Sequence, residues 1–97
     1  MKSRYLLLVF FFLAINVASS QQIELQGKII NYFDIEGIHI LNKTSKYNTV
    51  SNQKGEFILR VQLLDTIVIS SIKYEIKELI ITDDIYIQKS VDIQLKE

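Results

Sequence analysis

The chain has 97 residues, 11 basic and 11 acidic side chains, and a formal net charge of zero. It holds no cysteine, tryptophan or proline and a single histidine, His39. One domain at most fits this length. Disulfide frameworks, thiol chemistry, cysteine-based zinc sites and any triad with a second histidine are excluded. Balanced charge speaks against nucleic acid, which asks for a clustered basic face.

The first element is a leader. Lys2 and Arg4 precede an unbroken apolar run from Leu6 to Ile15, and Ala18 and Ser20 stand three places and one place before Gln21. A basic start, an apolar stretch and small residues at those two positions predict a signal peptide over 1–20 with cleavage before Gln21. An uncleaved anchor is the competing reading. Ten helical residues reach about 15 Å, against roughly 30 Å of hydrocarbon. A spanning helix would also carry Asn16, Ser19, Ser20, Gln21 and Gln22 into or near lipid. The expected mature chain, 21–97, is an exported single domain with no stable membrane insertion. It keeps 9 basic and 11 acidic residues, a net charge of −2. Without disulfides its stability must come from burial, and a domain this small buries only about 60% of its unfolded surface.

Composition then points to strands. Residues 21–97 contain 16 isoleucines, 4 valines and no alanine. Side chains branched at Cβ lose rotamer freedom in helices and suit a pleated sheet. Ile23, Leu25, Gly27 and Ile29 alternate with polar residues; Phe57, Leu59, Val61 and Leu63 alternate, with Glu56, Arg60 and Gln62 as the polar positions; and Val91, Ile93 and Leu95 alternate again. Period two marks a strand with one wet face.

Seven strands are predicted, at about 22–31, 37–42, 46–51, 56–62, 66–72, 76–82 and 90–96. Asn52-Gln53-Lys54-Gly55 has the chemistry of a tight turn and predicts a hairpin between 46–51 and 56–62. Leu64-Asp65-Thr66 is a second tight connection. Asp83-Asp84 opens a third, followed by a short extra strand at Ile85 and Ile87. Residues 74–81 fit either a strand or one to two helical turns. Strands at this spacing suggest an all-β sandwich.

Four groups of residues in order carry a resemblance: Gly27-Lys28-Ile29-Ile30; Glu36-Gly37-Ile38-His39-Ile40; Asn48-Thr49-Val50-Ser51-Asn52-Gln53-Lys54-Gly55-Glu56-Phe57; and Leu64-Asp65-Thr66-Ile67-Val68-Ile69-Ser70-Ser71-Ile72-Lys73-Tyr74. Over about residues 23–95 the chain resembles the carboxypeptidase-regulatory-like domain, a transthyretin-like, seven-stranded β-sandwich. That family runs roughly G-x-V, G-V-x-V, G-T-x-T-D-x-x-G-x-F and G-D-x-L-x-x-S-x-x-G-Y. The matching motif positions here are Gly27, Gly37, Gly55, Phe57, Asp65, Ser71 and Tyr74. The chain departs from the pattern at Asn48, Leu64 and Lys73, each standing where the family has glycine. Asparagine tolerates positive φ. Leucine and lysine do not share that tolerance, so the turns at Leu64 and Lys73 are expected to be remodelled.

The resemblance implies an exported, non-enzymatic accessory or protein-binding module of the bacterial cell envelope, in the periplasm, at the outer membrane or at the cell surface. Its expected partner is another envelope protein. Two alternatives come with the family. One is the N-terminal extension of a TonB-dependent outer-membrane receptor, and the other is a regulatory accessory domain of a carboxypeptidase.

The residues themselves lead to the same expectation of no catalytic, cofactor or metal site. His39 sits between Ile38 and Ile40 and reads as a solvent-facing strand residue. Asp83, Asp84 and Asp92 lack the dense loop of oxygen ligands that calcium takes. Ser70 and Ser71 have no base near them in sequence, and one of the two is expected to face inward and bond backbone. Asn42-Lys43-Thr44 matches a glycosylation sequon by chance. Gly55 is expected to be left-handed, with Phe57 and Tyr74 as large inward anchors. Tyr74 and Phe33 read as core, and Tyr47 and Tyr86 as covers for sheet edges. Exposed tyrosines beside a free edge are also the makings of a docking surface.

Overall fold

Alternating polarity becomes alternating burial. The computed structural model describes residues 21–97, so the leader expected over 1–20 lies outside the described residues. Strand β1 (Ile23–Ile29) turns Leu25, Gly27 and Ile29 inward, and β4 (Glu56–Val61) turns Phe57, Leu59 and Val61 inward. The other strands are β2 (His39–Asn42), β3 (Asn48–Val50), β5 (Thr66–Ser70), β6 (Lys77–Ile80) and β7 (Ser90–Ile93). They form a three-stranded sheet in the order β4-β1-β7 and a four-stranded sheet in the order β3-β2-β5-β6. All pairings are antiparallel except β1 with β7, which run parallel. The architecture is mostly β, with two sheets, as in an all-β sandwich. The segment over 74–81, open between strand and helix in sequence, contains β6.

Both sheets feed one apolar core. Leu25, Ile29, Phe57, Leu59, Val61 and Ile93 come from the first sheet; Ile40, Ile67 and Ile69 come from the second, joined by Ile38, Tyr74, Ile81 and Leu95 outside the strands. At the sheet margins, the Arg60 guanidinium carbon lies 5.8 Å from the centre of the Tyr47 ring, a cation–π contact from β4 to the segment entering β3. The Tyr86 hydroxyl donates to the Gln21 carbonyl at 2.8 Å.

The Asn52–Gly55 turn forms, but not as a hairpin within one sheet. The Gly55 N–H donates to the Asn52 carbonyl at 2.9 Å, and the Asn52 side-chain oxygen accepts from Lys54 N–H and Glu56 N–H at 2.9 Å each. The strands on its two sides belong to different sheets: β3 pairs with β2 and β4 pairs with β1. A turn reverses the chain locally without deciding which neighbour each strand takes. Gly55 adopts φ +78°, and a Cβ there would stand 2.7 Å from the Ile29 carbonyl oxygen.

Three further expectations are corrected. Ile85 and Ile87 lie in a helix, α1 (Asp83–Gln88), not in an extra strand. Asp83 and Asp84 in the first turn favour the positive end of the helix dipole. Lys89 closes the helix in a left-handed conformation, its N–H donating to the Ile85 carbonyl at 2.8 Å. End effects therefore override the weak helix propensity of isoleucine.

The turn at Leu64 is not remodelled to avoid the left-handed region, because Leu64 itself occupies it at φ +69°. That costs about 1–2 kcal/mol. The turn is held by the Leu64 N–H donating to Ile81 O at 2.8 Å and by the side chain of Asp65.

Phe33, expected in the core, is mostly exposed. It sits in the loop between β1 and β2, and only its backbone is tied down. No helix among the described residues is long and apolar enough to cross a membrane.

Candidate binding surfaces

The seven motif residues fall into three places. The first is the core of the three-stranded sheet. Gly27 and Phe57 are direct cross-strand partners, and the Phe57 ring lies over Gly27, where a Cβ would come within 2.0 Å of the ring. Gly27 is needed here for space rather than for its backbone freedom. Gly55 caps the same region, its carbonyl accepting from Ile29 N–H at 2.8 Å.

The second place is a polar knot around Asp65, a buried residue. Its Oδ2 accepts from Asn42 Nδ2 at 2.7 Å, Ser45 Oγ at 2.7 Å and Gln62 N–H at 2.9 Å. Asn42 is fully buried; its Nδ2 also donates to the Arg60 carbonyl at 3.0 Å, and its Oδ1 accepts from Thr44 N–H and Ser45 N–H. The knot ties the end of β2 to β4 and to the turn before β5. It also leaves the sequon asparagine buried, with its amide nitrogen committed twice. Asn42 and Ser45 are the residues that sequence reasoning missed. The signal was parity: Ile38, Ile40 and Asn42 share the inward side, which made Asn42 a buried polar group in need of partners.

The third place is the loop end at the start of β2. Ser71 Oγ accepts from Tyr74 N–H at 3.2 Å, and the buried Tyr74 hydroxyl donates to the Phe33 carbonyl. Ser70 and Ser71 are both half-buried, and the backbone bond falls to Ser71. Gly37 adopts φ +73° and donates its N–H to the Ser51 carbonyl at 2.9 Å. The Ser51 hydroxyl, also buried, donates to the Ile35 carbonyl at 2.6 Å and accepts from Ile38 N–H at 2.9 Å. Between these loops lies an open cleft of about 460 Å³, lined among others by Asp34, Glu36, Gly37, His39, Ser71 and Lys73. His39 is exposed, across from Ser70 on β5. The cleft offers carboxylates, an ammonium, an imidazole and hydroxyls, which suits ion pairing and hydrogen bonding. Among the described residues, no group of three or more histidine, aspartate or glutamate side chains is placed to hold a metal ion.

The solvent faces of the two sheets differ. On the three-stranded sheet, Glu24, Gln26 and Lys28 lie beside Glu56, Ile58 and Arg60 and beside Ser90 and Asp92, so seven of these eight residues are polar or charged. On the four-stranded sheet, Leu41 and Val68 are direct partners. Val50, opposite His39, is diagonal to Leu41, and Ile80, opposite Thr66, is diagonal to Val68. Diagonal neighbours lie within reach of each other across a sheet. An apolar line therefore crosses all four strands, with Val50, Leu41 and Ile80 exposed and Val68 half-buried.

Comparisons with protein-family models, with curated proteins and with solved structures found no match.

Proposed function

We propose that this chain is an exported, non-enzymatic module of the bacterial cell envelope, a transthyretin-like sandwich of the carboxypeptidase-regulatory-like kind. It docks another envelope protein through the solvent face of its four-stranded sheet. The observation that carries the reading is the contrast between the two faces. A module that only needed to stay soluble would keep both faces polar, as the three-stranded sheet does. The four-stranded sheet instead carries a diagonal Val50–Leu41–Val68–Ile80 line, four apolar residues among nine on its outer face, bordered by Asn48 and Glu78. Such patches mark interaction sites. Rigid strands hold these side chains in place, so little ordering cost is added on binding.

A photo-crosslinking amino acid placed at Leu41 or Val68, and at Gln26 on the opposite sheet, tests this in cells. Mass spectrometry is expected to identify the same protein crosslinked from positions 41 and 68 and none from position 26. Equal labelling from all three positions, or none from 41 and 68, would contradict the docking face.

A further inference from the structure

Independently of the sheet face, we infer that the loop end is a self-association surface, through which two copies of this chain pair about a two-fold axis. The loop between β1 and β2 is anchored at Asn31, Phe33, Ile35 and Gly37. The Asn31 side chain exchanges two hydrogen bonds with the backbone of Leu95, at 2.9 and 2.8 Å. The Tyr74 hydroxyl binds the Phe33 carbonyl, the Ser51 hydroxyl binds the Ile35 carbonyl, and Gly37 N–H binds the Ser51 carbonyl. Yet Tyr32 is 93% exposed and Phe33 77% exposed on that pinned loop, and Ile72 on the neighbouring loop is 101% exposed. Apolar side chains this exposed do nothing for the fold. The backbone that carries Tyr32 and Phe33 is tied down on either side, so a contact has mainly their rotamers left to order.

The features around them identify a second copy as the occupant. A projection and a recess lie side by side, since the cleft begins at Asp34, next to Phe33, and Ile72 forms part of its wall. The charges are likewise of both signs, with Asp34 and Glu36 from one loop and Lys73 from the other. A patch holding projection with recess and acid with base is self-complementary under a two-fold axis. Phe33 of each copy enters the cleft of the other, and Lys73 of each faces the Asp34 and Glu36 pair across the axis. An anionic lipid surface fits less well, because both carboxylates beside the apolar tip would be repelled.

The area sets the strength. At about 150–250 Å² for each aromatic side chain, Tyr32 and Phe33 with the smaller Ile72 present on the order of 500 Å², short of the roughly 800 Å² that a standard interface buries per partner. A weak, concentration-dependent dimer follows.

Sedimentation velocity of the purified protein, from roughly 5 to 500 µM, tests the inference, with a dissociation constant within that range expected for a weak pair. Phe33→Asp is expected to raise the constant at least about tenfold by placing a charge in the contact. Lys73→Glu is expected to raise it about fivefold, and Glu36→Lys added to Lys73→Glu is expected to restore it. Leu41→Asp is expected to leave it unchanged, which separates this surface from the sheet face. Far-UV circular dichroism of each variant checks that it folds; Phe33 serves the loop through its carbonyl, which the substitution keeps. A monomer at every concentration would overturn the inference, as would a dimer indifferent to Phe33→Asp or one broken by Leu41→Asp. Flotation of the protein with phosphatidylethanolamine–phosphatidylglycerol vesicles, abolished by Phe33→Asp, would overturn it in favour of lipid.

Discussion

Replacing Asp65 with alanine is expected to lower the unfolding free energy by about 3 kcal/mol, since each buried donor left without a partner costs roughly 1–3 kcal/mol. The carboxylate oxygen Oδ2 gathers the Asn42 amide, the Ser45 hydroxyl and the Gln62 N–H. Alanine takes this acceptor from the half-buried Ser45 hydroxyl and Gln62 N–H, and leaves the buried Asn42 amide with the Arg60 carbonyl alone. The loss also crosses elements, because Asn42 ends β2, Gln62 follows β4 and Asp65 precedes β5, so one side chain links both sheets. A domain of this size has only about 0.05–0.15 kcal/mol of stability per residue, so such a loss removes a large share of the whole. Urea-induced unfolding with linear extrapolation measures it. The exposed Asp92 serves as control, with a change to alanine expected to stay within about 0.5 kcal/mol. A shift below about 1 kcal/mol for Asp65→Ala would show that the knot is dispensable.

Gly27 is the second sensitive position. A Cβ there would meet Phe57 at 2.0, 2.4 and 2.5 Å, and the Phe57 ring is itself buried in the core. Overpacking of this kind costs about 1–3 kcal/mol, so Gly27→Ala is expected near the upper end and Gly27→Val is expected not to accumulate as folded protein. The reason is steric and so is the remedy. Phe57→Leu removes ring atoms from the space the new methyl needs. The double variant Gly27→Ala with Phe57→Leu is expected to be more stable than the sum of the two single effects by at least about 1 kcal/mol, a coupling typical of residues in contact. Thermal unfolding followed by circular dichroism gives the cycle. Strict additivity would mean that the ring does not occupy the space above Gly27.

Most of the strands were legible because their alternation is strong and their branched side chains agree with it. Leu25 and Ile29, and Phe57, Leu59 and Val61, appear in sequence as inward residues and are buried. Sheet membership was not legible. The Asn52–Gly55 turn has hairpin chemistry, and yet the chain passes through it from one sheet to the other. Local residues specify a reversal, whereas pairing depends on distant partners such as β1 for β4. Ile85 and Ile87 read as a strand on their branching and spacing, but two acidic residues ahead and a left-handed Lys89 behind make a short helix instead. Phe33 read as core on hydrophobicity alone. Its loop is placed by hydrogen bonds to the Phe33 and Ile35 carbonyls and to the Asn31 side chain, which come from Tyr74, Ser51 and Leu95, all remote in sequence. The apolar line on the four-stranded sheet was equally hidden, since Val50, Leu41, Val68 and Ile80 become neighbours only once the register is known.

Everything rests on β1 lying between an antiparallel and a parallel neighbour, with its inner face opposed to a second sheet. Cross-strand nuclear Overhauser effects from isotope-labelled protein test this most directly. Backbone contacts are expected between Leu25 and Leu59, between Gly27 and Val91, and between Ile40 and Ile69, with side-chain contacts joining Leu25 and Ile29 to residues of the other sheet. Sequential amide–amide contacts running through these segments, as a helix gives, or a collapsed amide spectrum without long-range contacts, would contradict the architecture and both binding surfaces built on it.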